Sequence, residues 1–308
     1  MSRTLRFIPK EGTLVEVTCR TVQSRLLLTP RPDVCEVITG VLGRAQKRFE
    51  MKVCAAAYLS NHFHILLIVN DAQQLASFME YVDSNIAREV GRLVEWREKF
   101  WSTRYRAIVI SDEEAAQIDR LRYVLSQGVK EALVERVRDW PGVHSGRAYL
   151  DGEPLKGYWF DRTKESAARR RGEAPDRLAY ATEEEVVLSP LPCWKGRSDD
   201  WVRKHVREMV EDIEREAAVE RERKRCRPLG AKAILAQHPH SKPKKTKRSA
   251  APRFHAATKA VRDGLREAYS LFVLSFREAA EKLRQGDRAA RFPAGSFPPA
   301  LPFVMPWV

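Results

Sequence analysis

Several things are missing from this chain, and each absence removes a class of protein. The five cysteines (Cys19, Cys35, Cys54, Cys193 and Cys226) include no C-x-x-C pair, which argues against a structural zinc site and against a disulfide framework. No apolar run approaches the length of a membrane span, and M-S-R-T-L-R-F-I-P-K at the N-terminus has no apolar signal region. A soluble, cytoplasmic protein without a membrane partner is therefore expected. Internal repeats are also lacking. Acidic residues are too few to balance the basic ones: the 308 residues carry a formal net charge of +14. That balance suits a polyanion as partner, nucleic acid more than membrane. The excess is uneven, +4 over residues 1–150 and +10 over residues 151–308. An apolar content of 44% still provides for a packed core.

The order of elements reads as strand, helix, strand, strand, helix, strand, helix. Leu14 to Thr18 alternates as a strand does, and Val34 to Phe49 has apolar residues at helical spacing. Met51 to Leu59 predicts a second strand and Ser60-Asn61 a tight turn. His62 to Val69 then returns antiparallel, with both faces apolar, which predicts a central strand covered on both sides. Asp71 caps a helix to about Trp96. Trp101 to Ile110 ends as a strand, and Ser111 with Glu114 predicts a capping box for a helix reaching about Val134. The class expected is α+β, an antiparallel sheet with packed helices.

Asp139-Trp140-Pro141-Gly142 reads as the end of that unit, giving a first domain of residues 1–145 and an irregular connector of 146–197. A basic, mostly α-helical C-terminal extension follows: a helical segment at 198–237 opened by Ser198, a basic flexible linker at 238–253, and a last helix with a Pro-rich tail at 254–308. The long helices could equally serve as a homodimer or partner surface. His238-Pro239-His240 sits in the linker, where proline and chain freedom disfavour a metal site.

Chemistry concentrates in two places. His62 and His64 are two apart on a strand, so both imidazoles share one face and can aim at one point. Such a pair fits either a divalent metal or two ordinary histidines at a strand end. On the following helix the apolar stripe is Leu121, Val124, Leu125, Val129 and Ala132, while Tyr123 and Gln127 fall together on the other side. Two imidazoles with a carboxamide oxygen make a mixed N/O donor set suited to Mg2+ or Mn2+ beside a phosphate. A tyrosine one turn from such a set could attack the phosphorus. Lys130 lies near that face. Arg104 and Arg106, interleaved with Tyr105 and following Trp101, form a basic–aromatic stretch suited to phosphates and unstacked bases, or simply a basic outer strand face.

Taken together, Ser60-Asn61-His62-Phe63-His64 and Tyr123-x-x-x-Gln127 resemble the HUH-type single-tyrosine transposases, the group that includes the REP-associated and insertion-sequence tyrosine transposases. W-S-T-R-Y-R-A-I-V-I before the tyrosine and D-W-P-G after it extend the likeness over about residues 1–145. Many REP-associated relatives carry Asn-Pro where this chain has Gln127-Gly128; the glutamine is similar to the insertion-sequence branch. The resemblance implies a ferredoxin-like catalytic domain acting on single-stranded or hairpin DNA. It assigns His62, His64 and Gln127 to the metal and Tyr123 to attack, leaving a 5′-phosphotyrosine adduct and a free 3′-OH. Arg104, Tyr105, Arg106, Trp101 and Lys130 are the candidate DNA contacts, and such a protein would be nucleoid-associated when bound. Alternatives are a domesticated nickase that processes hairpins without mobilising itself, an inactive DNA-binding protein, and a hydrolase that uses water at the histidine pair.

Overall fold

The computed structural model describes residues 5–243 and 252–299. The middle of the expected linker (244–251), the first four residues and the last nine lie outside the described residues.

Four strands form the centre: β1 (Thr13–Arg20), β2 (Lys52–Leu59), β3 (His62–Val69) and β4 (Arg106–Ile110). They lie in the order β2-β3-β1-β4, all antiparallel. With helix α1 (Pro32–Arg48) after β1 and α2 (Ala72–Leu93) after β3, this is the ferredoxin-like arrangement. Strand β3 is interior, as its two apolar faces predicted. Residues alternating along the strands divide the core in two. Val15, Val17, Phe63, Ile65 and Leu67 meet α1 and α2. On the other face Leu14, Leu66, Ile108 and Ile110 meet α3 (Glu114–Leu125) and the chain beyond it. His62, His64 and Glu16 belong to this second face by the same two-residue periodicity.

Helix α3 begins and ends differently from expectation. It starts after Glu113 with no side-chain cap, because the Ser111 hydroxyl donates instead to the Glu113 carboxylate (2.8 Å). It stops at Leu125, short of Val134, because Gly128 turns left-handed at φ 87°. Gly128 N–H donates to Glu131 Oε2 rather than continuing the helical ladder.

The connector is not irregular. It holds α4 (Ser145–Asp151), an antiparallel ribbon of β5 (Leu155–Phe160) and β6 (Ala181–Val186), and α5 (Arg162–Arg170) between the two strands. The ribbon lies on α1, and two glycines allow the approach: a Cβ on Gly40 would stand 2.1 Å from the Tyr158 carbonyl carbon, and one on Gly157 2.1 Å from Glu36 O. Glu184 on β6 is buried between Arg44 (3.1 Å) and Lys47 (2.6 Å) of α1. Gly40→Ala should therefore separate ribbon from helix and lower stability by about 3 kcal/mol, as an overpacked site does. A thermal melt checks this; an unchanged midpoint would mean the ribbon is not held against α1.

Helix α6 (Asp199–Lys224), capped by Ser198 as expected, buries Val202, Val206, Met209, Val210 and Ile213 in the core that α3 shares. After α7 (Ala231–Leu235), residues 237–241 run over the Ser60-Asn61 side of the sheet, where Arg25 donates to His240 O and His240 Nε2 meets Val94 O at 2.7 Å. Strand β7 (Phe254–His255) then adds to β4 in parallel, and α8 (Lys259–Arg284) follows, capped by Thr258. Among the described residues no helix is long and apolar enough to cross a membrane.

Candidate active site

Strand β3 delivers His62 and His64 to the α3 face with their rings 5.2 Å apart, edge to face. Each Nδ1 is engaged by an oxygen 2.6 Å away: Asn61 Oδ1 for His62 and Glu16 Oε1 for His64. A neutral imidazole that donates from Nδ1 keeps its Nε2 lone pair, so both rings can present the same donor atom. Burial, with the charges of His64, Arg20 and Lys130, holds His62 well below the usual histidine range. It is neutral near pH 7, as ligation requires.

Glu16 is the first of three residues that sequence reasoning missed, with Arg120 and His255. It sits on β1 almost fully buried, facing the same side as His64 because Thr18 pairs with His64 and Glu16 with Leu66. Burial alone would raise its carboxyl pKa. The hydrogen bond and charge of His64 outweigh that, helped by Arg120 and Lys130, so the pKa is lowered. Arg120 Nη1 lies 3.0 Å from Glu16 Oε2. The wiring continues outward: Arg120 Nη2 reaches His255 Nδ1 at 2.9 Å, and His255 Nε2 reaches Asp119 Oδ2 at 3.1 Å. The signal for Glu16 was a carboxylate on a central strand whose two faces are both covered. For His255 no local pattern existed, since it lies 135 positions from Arg120.

Tyr123 stands in the middle of these groups. Its ring meets His64 edge-on at 5.4 Å, Arg120 covers it at 4.7 Å, and Lys130 Nζ lies 3.4 Å from the ring centroid. It remains over a third exposed, at 37%. The phenol pKa is raised, first by partial burial and then by the Glu16 charge, against hydrogen bonding from Gln127 and the Arg120 charge. Gln127 is buried, and its amide nitrogen donates to Tyr123 O at 2.9 Å, which turns the carboxamide oxygen outward from that bond. Although α3 ends before it, Gln127 thus keeps the side-by-side relation to Tyr123 that a continuous helix would have given.

A cavity of about 690 Å³ opens at Tyr123 between the end of α3 and the second half of α6, walled by Ser126, Lys130, Glu216, Ala217 and Arg221. The extension therefore shapes the entrance to the tyrosine. An ion pair between Arg122 and Glu216 (2.6 Å) ties the two helices there.

Among the described residues no three of His, Cys, Asp and Glu cluster as a metal cage. The chemistry of the pair still suits an ion: with Nδ1 of each ring turned to an oxygen, Nε2 is the nitrogen left to each imidazole, a borderline donor.

The candidate DNA contacts divide. Arg106 alternates with Ile108 and Ile110 and so projects on the tyrosine side of β4; it and Arg104 are exposed. Trp101 and Tyr105 are not brought to this site. Trp101 packs edge-on against Phe63 and Phe100 and donates to Asp83 O at 2.9 Å. Tyr105 is buried in the opposite core, where its hydroxyl accepts from Arg6 Nε at 2.9 Å. Both residues precede β4, and their rings pack with the core on the α1 and α2 side of the sheet.

No curated protein matches the chain. Of solved structures, a REP-associated tyrosine transposase bound to a REP hairpin aligns with 18% identity over 47% of this chain and 82% of its own, at a TM-score of 0.39. A candidate transposase from Deinococcus radiodurans R1 aligns with 16% identity over 39% of this chain and 95% of its own, at a TM-score of 0.28. Residues 18–127 match the family model described as "Transposase IS200 like". That span runs from the end of β1 to Gln127 and takes in both histidines and Tyr123, so the segment that carries the site is the part of the chain similar to the IS200-like transposases.

Proposed function

We propose that the protein cleaves and rejoins single-stranded, hairpin-bearing DNA through Tyr123, with Mg2+ or Mn2+ at His62, His64 and Gln127. The observation that carries this reading is the Tyr123 ring seated 5.4 Å from the ring of His64, whose other nitrogen is held by buried Glu16. A nucleophile and a pair of free Nε2 donors on one face are what metal-assisted attack on a phosphodiester needs.

When bound, the ion supplies charge neutralisation at the non-bridging oxygens of the scissile phosphate. The protein supplies the rest. Glu16 holds His64 in the tautomer that frees Nε2, and Asn61 does the same for His62. Arg120 and Lys130 place positive charge over the faces of the Tyr123 ring, where it favours the phenolate and attracts the phosphate. Tyr123 Oη forms a bond to phosphorus while the bond to the 3′ oxygen breaks, and the phenolic proton ends on that 3′ oxygen. The products are a 5′-phosphotyrosine and a 3′-OH. The ester linkage is conserved in the adduct, so a second 3′-OH can reverse the step and join strands without a nucleotide cofactor. Because the raised pKa keeps the phenol protonated in the free protein, deprotonation belongs to the DNA-bound state.

The test separates catalysis from binding. His62→Ala and His64→Ala should each lower cleavage of a labelled hairpin strand by on the order of a hundredfold or more, the scale of lost ligands and electrostatic groups. Affinity for the same strand should change less than threefold. Equal loss of cleavage and binding would make the histidines structural. Cleavage without a denaturant-resistant adduct would favour attack by water instead.

A further inference from the structure

A second cavity, of about 530 Å³, lies at the sheet edge where β7 meets the first turns of α8. Its lining carries three guanidinium groups, those of Arg253, Arg262 and Arg266, and no carboxylate. Arg253 is stacked over the Tyr269 ring at 3.9 Å. Arg266 is held by Asp263 just outside the cavity, Nη1 to Oδ1 at 3.0 Å. The Nε of Arg262 is buried with no hydrogen-bond partner. Like charges gathered in one concavity repel, and a buried N–H without an acceptor costs about 1–3 kcal/mol. The repulsion is relieved if an oxyanion sits between the guanidinia, since the terminal nitrogens of their planar forks match phosphate oxygens.

The cavity is wired to the tyrosine. His255 forms part of its lining, meets Arg120 Nη2 at 2.9 Å, and Arg120 covers the Tyr123 ring at 4.7 Å. Two side chains thus separate it from the nucleophile. Glu113 fixes the junction, accepting from Ala257 N (2.9 Å), Thr258 N (3.2 Å) and Thr258 Oγ1 (2.7 Å). We infer that the β7–α8 cavity binds a backbone phosphate of the same DNA strand that Tyr123 attacks, holding it at a fixed remove from the scissile bond. The inference rests on the proposed action on DNA, and it gives the C-terminal part of the chain a role in gripping substrate.

The full-length chain with Tyr123→Phe, which should bind without cleaving, is the background for the test. A fluorescein-labelled single-stranded oligonucleotide is titrated at several salt concentrations, with and without Arg262→Gln and Arg266→Gln together. The expected result is a Kd about tenfold higher and a log Kd–log salt slope smaller by about 1 to 2, the signature of lost phosphate contacts. An unchanged Kd and slope would overturn the assignment. Should the double variant fail to fold, phenylglyoxal labelling of the unsubstituted chain decides: the oligonucleotide must protect Arg262, as read by peptide mass. Equal protection by inorganic phosphate at the same phosphate concentration would make this a free-anion site and overturn the strand assignment. Adduct formation by the unsubstituted chain is scored separately: protection of Arg262 with no adduct would count against the proposed cleavage and leave the cavity standing.

Discussion

Tyr123→Phe should abolish the covalent protein–DNA adduct and lower strand cleavage by three or more orders of magnitude, roughly the scale seen when a covalent nucleophile is removed. The ring itself packs beside His64 and under Lys130, and phenylalanine keeps those contacts, so stability and DNA affinity should change little. That pairing of effects is informative. The phenol is exposed enough to reach a ligand, while its ring lies against Arg120 and Lys130. Incubation with a labelled hairpin strand and Mg2+ or Mn2+, followed by denaturing electrophoresis, reads the result. Adduct at unsubstituted levels in the variant would remove Tyr123 from the reaction.

Glu16→Gln should have the next largest effect, and it should act on both stability and activity. The carboxylate is shared by His64 and Arg120, each with little exposure. Loss of its charge leaves a buried guanidinium unpaired, a cost of about 3–5 kcal/mol when a buried ion pair loses one partner. It also frees the His64 tautomer. An outer partner of a metal-bound histidine is worth about 10- to 100-fold in metal affinity, so the metal concentration that supports cleavage should rise by that factor. The linkage sign follows from the lowered Glu16 pKa. Its stabilisation is present above the ordinary glutamate pKa and lost as pH falls through the lower, folded value. Glu16→Gln should therefore flatten the acid limb of a stability-against-pH profile while lowering the neutral plateau. A plateau unchanged by the substitution would show that Glu16 does not organise the site.

Much of the fold was legible because period and burial agree in it. The alternation of Leu14 to Thr18 and the doubly apolar run Ile65 to Val69 could be satisfied by a covered, antiparallel centre, and the structure has one. The β5–β6 ribbon escaped notice because A-T-E-E-E-V reads as a solvated charge run. Only the placement of Arg44 and Lys47 on α1 makes a buried Glu184 affordable, and that is tertiary information. The length of α3 was overestimated because the apolar stripe continues to Val129 and Ala132 past a glycine whose φ only the folded chain fixes. Of the groups around Tyr123, the two histidines, Gln127 and Lys130 could be read from spacing. Glu16 could have been, as a charge on a buried strand. Arg120 hid within its helix, and His255 and the cavity above it depend on a strand pairing across more than a hundred residues, which no local pattern encodes.

The central claim is that Tyr123 becomes joined to the 5′ side of a cut strand. Its most direct measurement is peptide mass spectrometry of the adduct after nuclease trimming. The account predicts a nucleotide 5′-phosphate on the peptide containing Tyr123, together with a released strand ending in 3′-OH. Attachment at any other residue, or a cut strand bearing a free 5′-phosphate with no peptide attached, would contradict it.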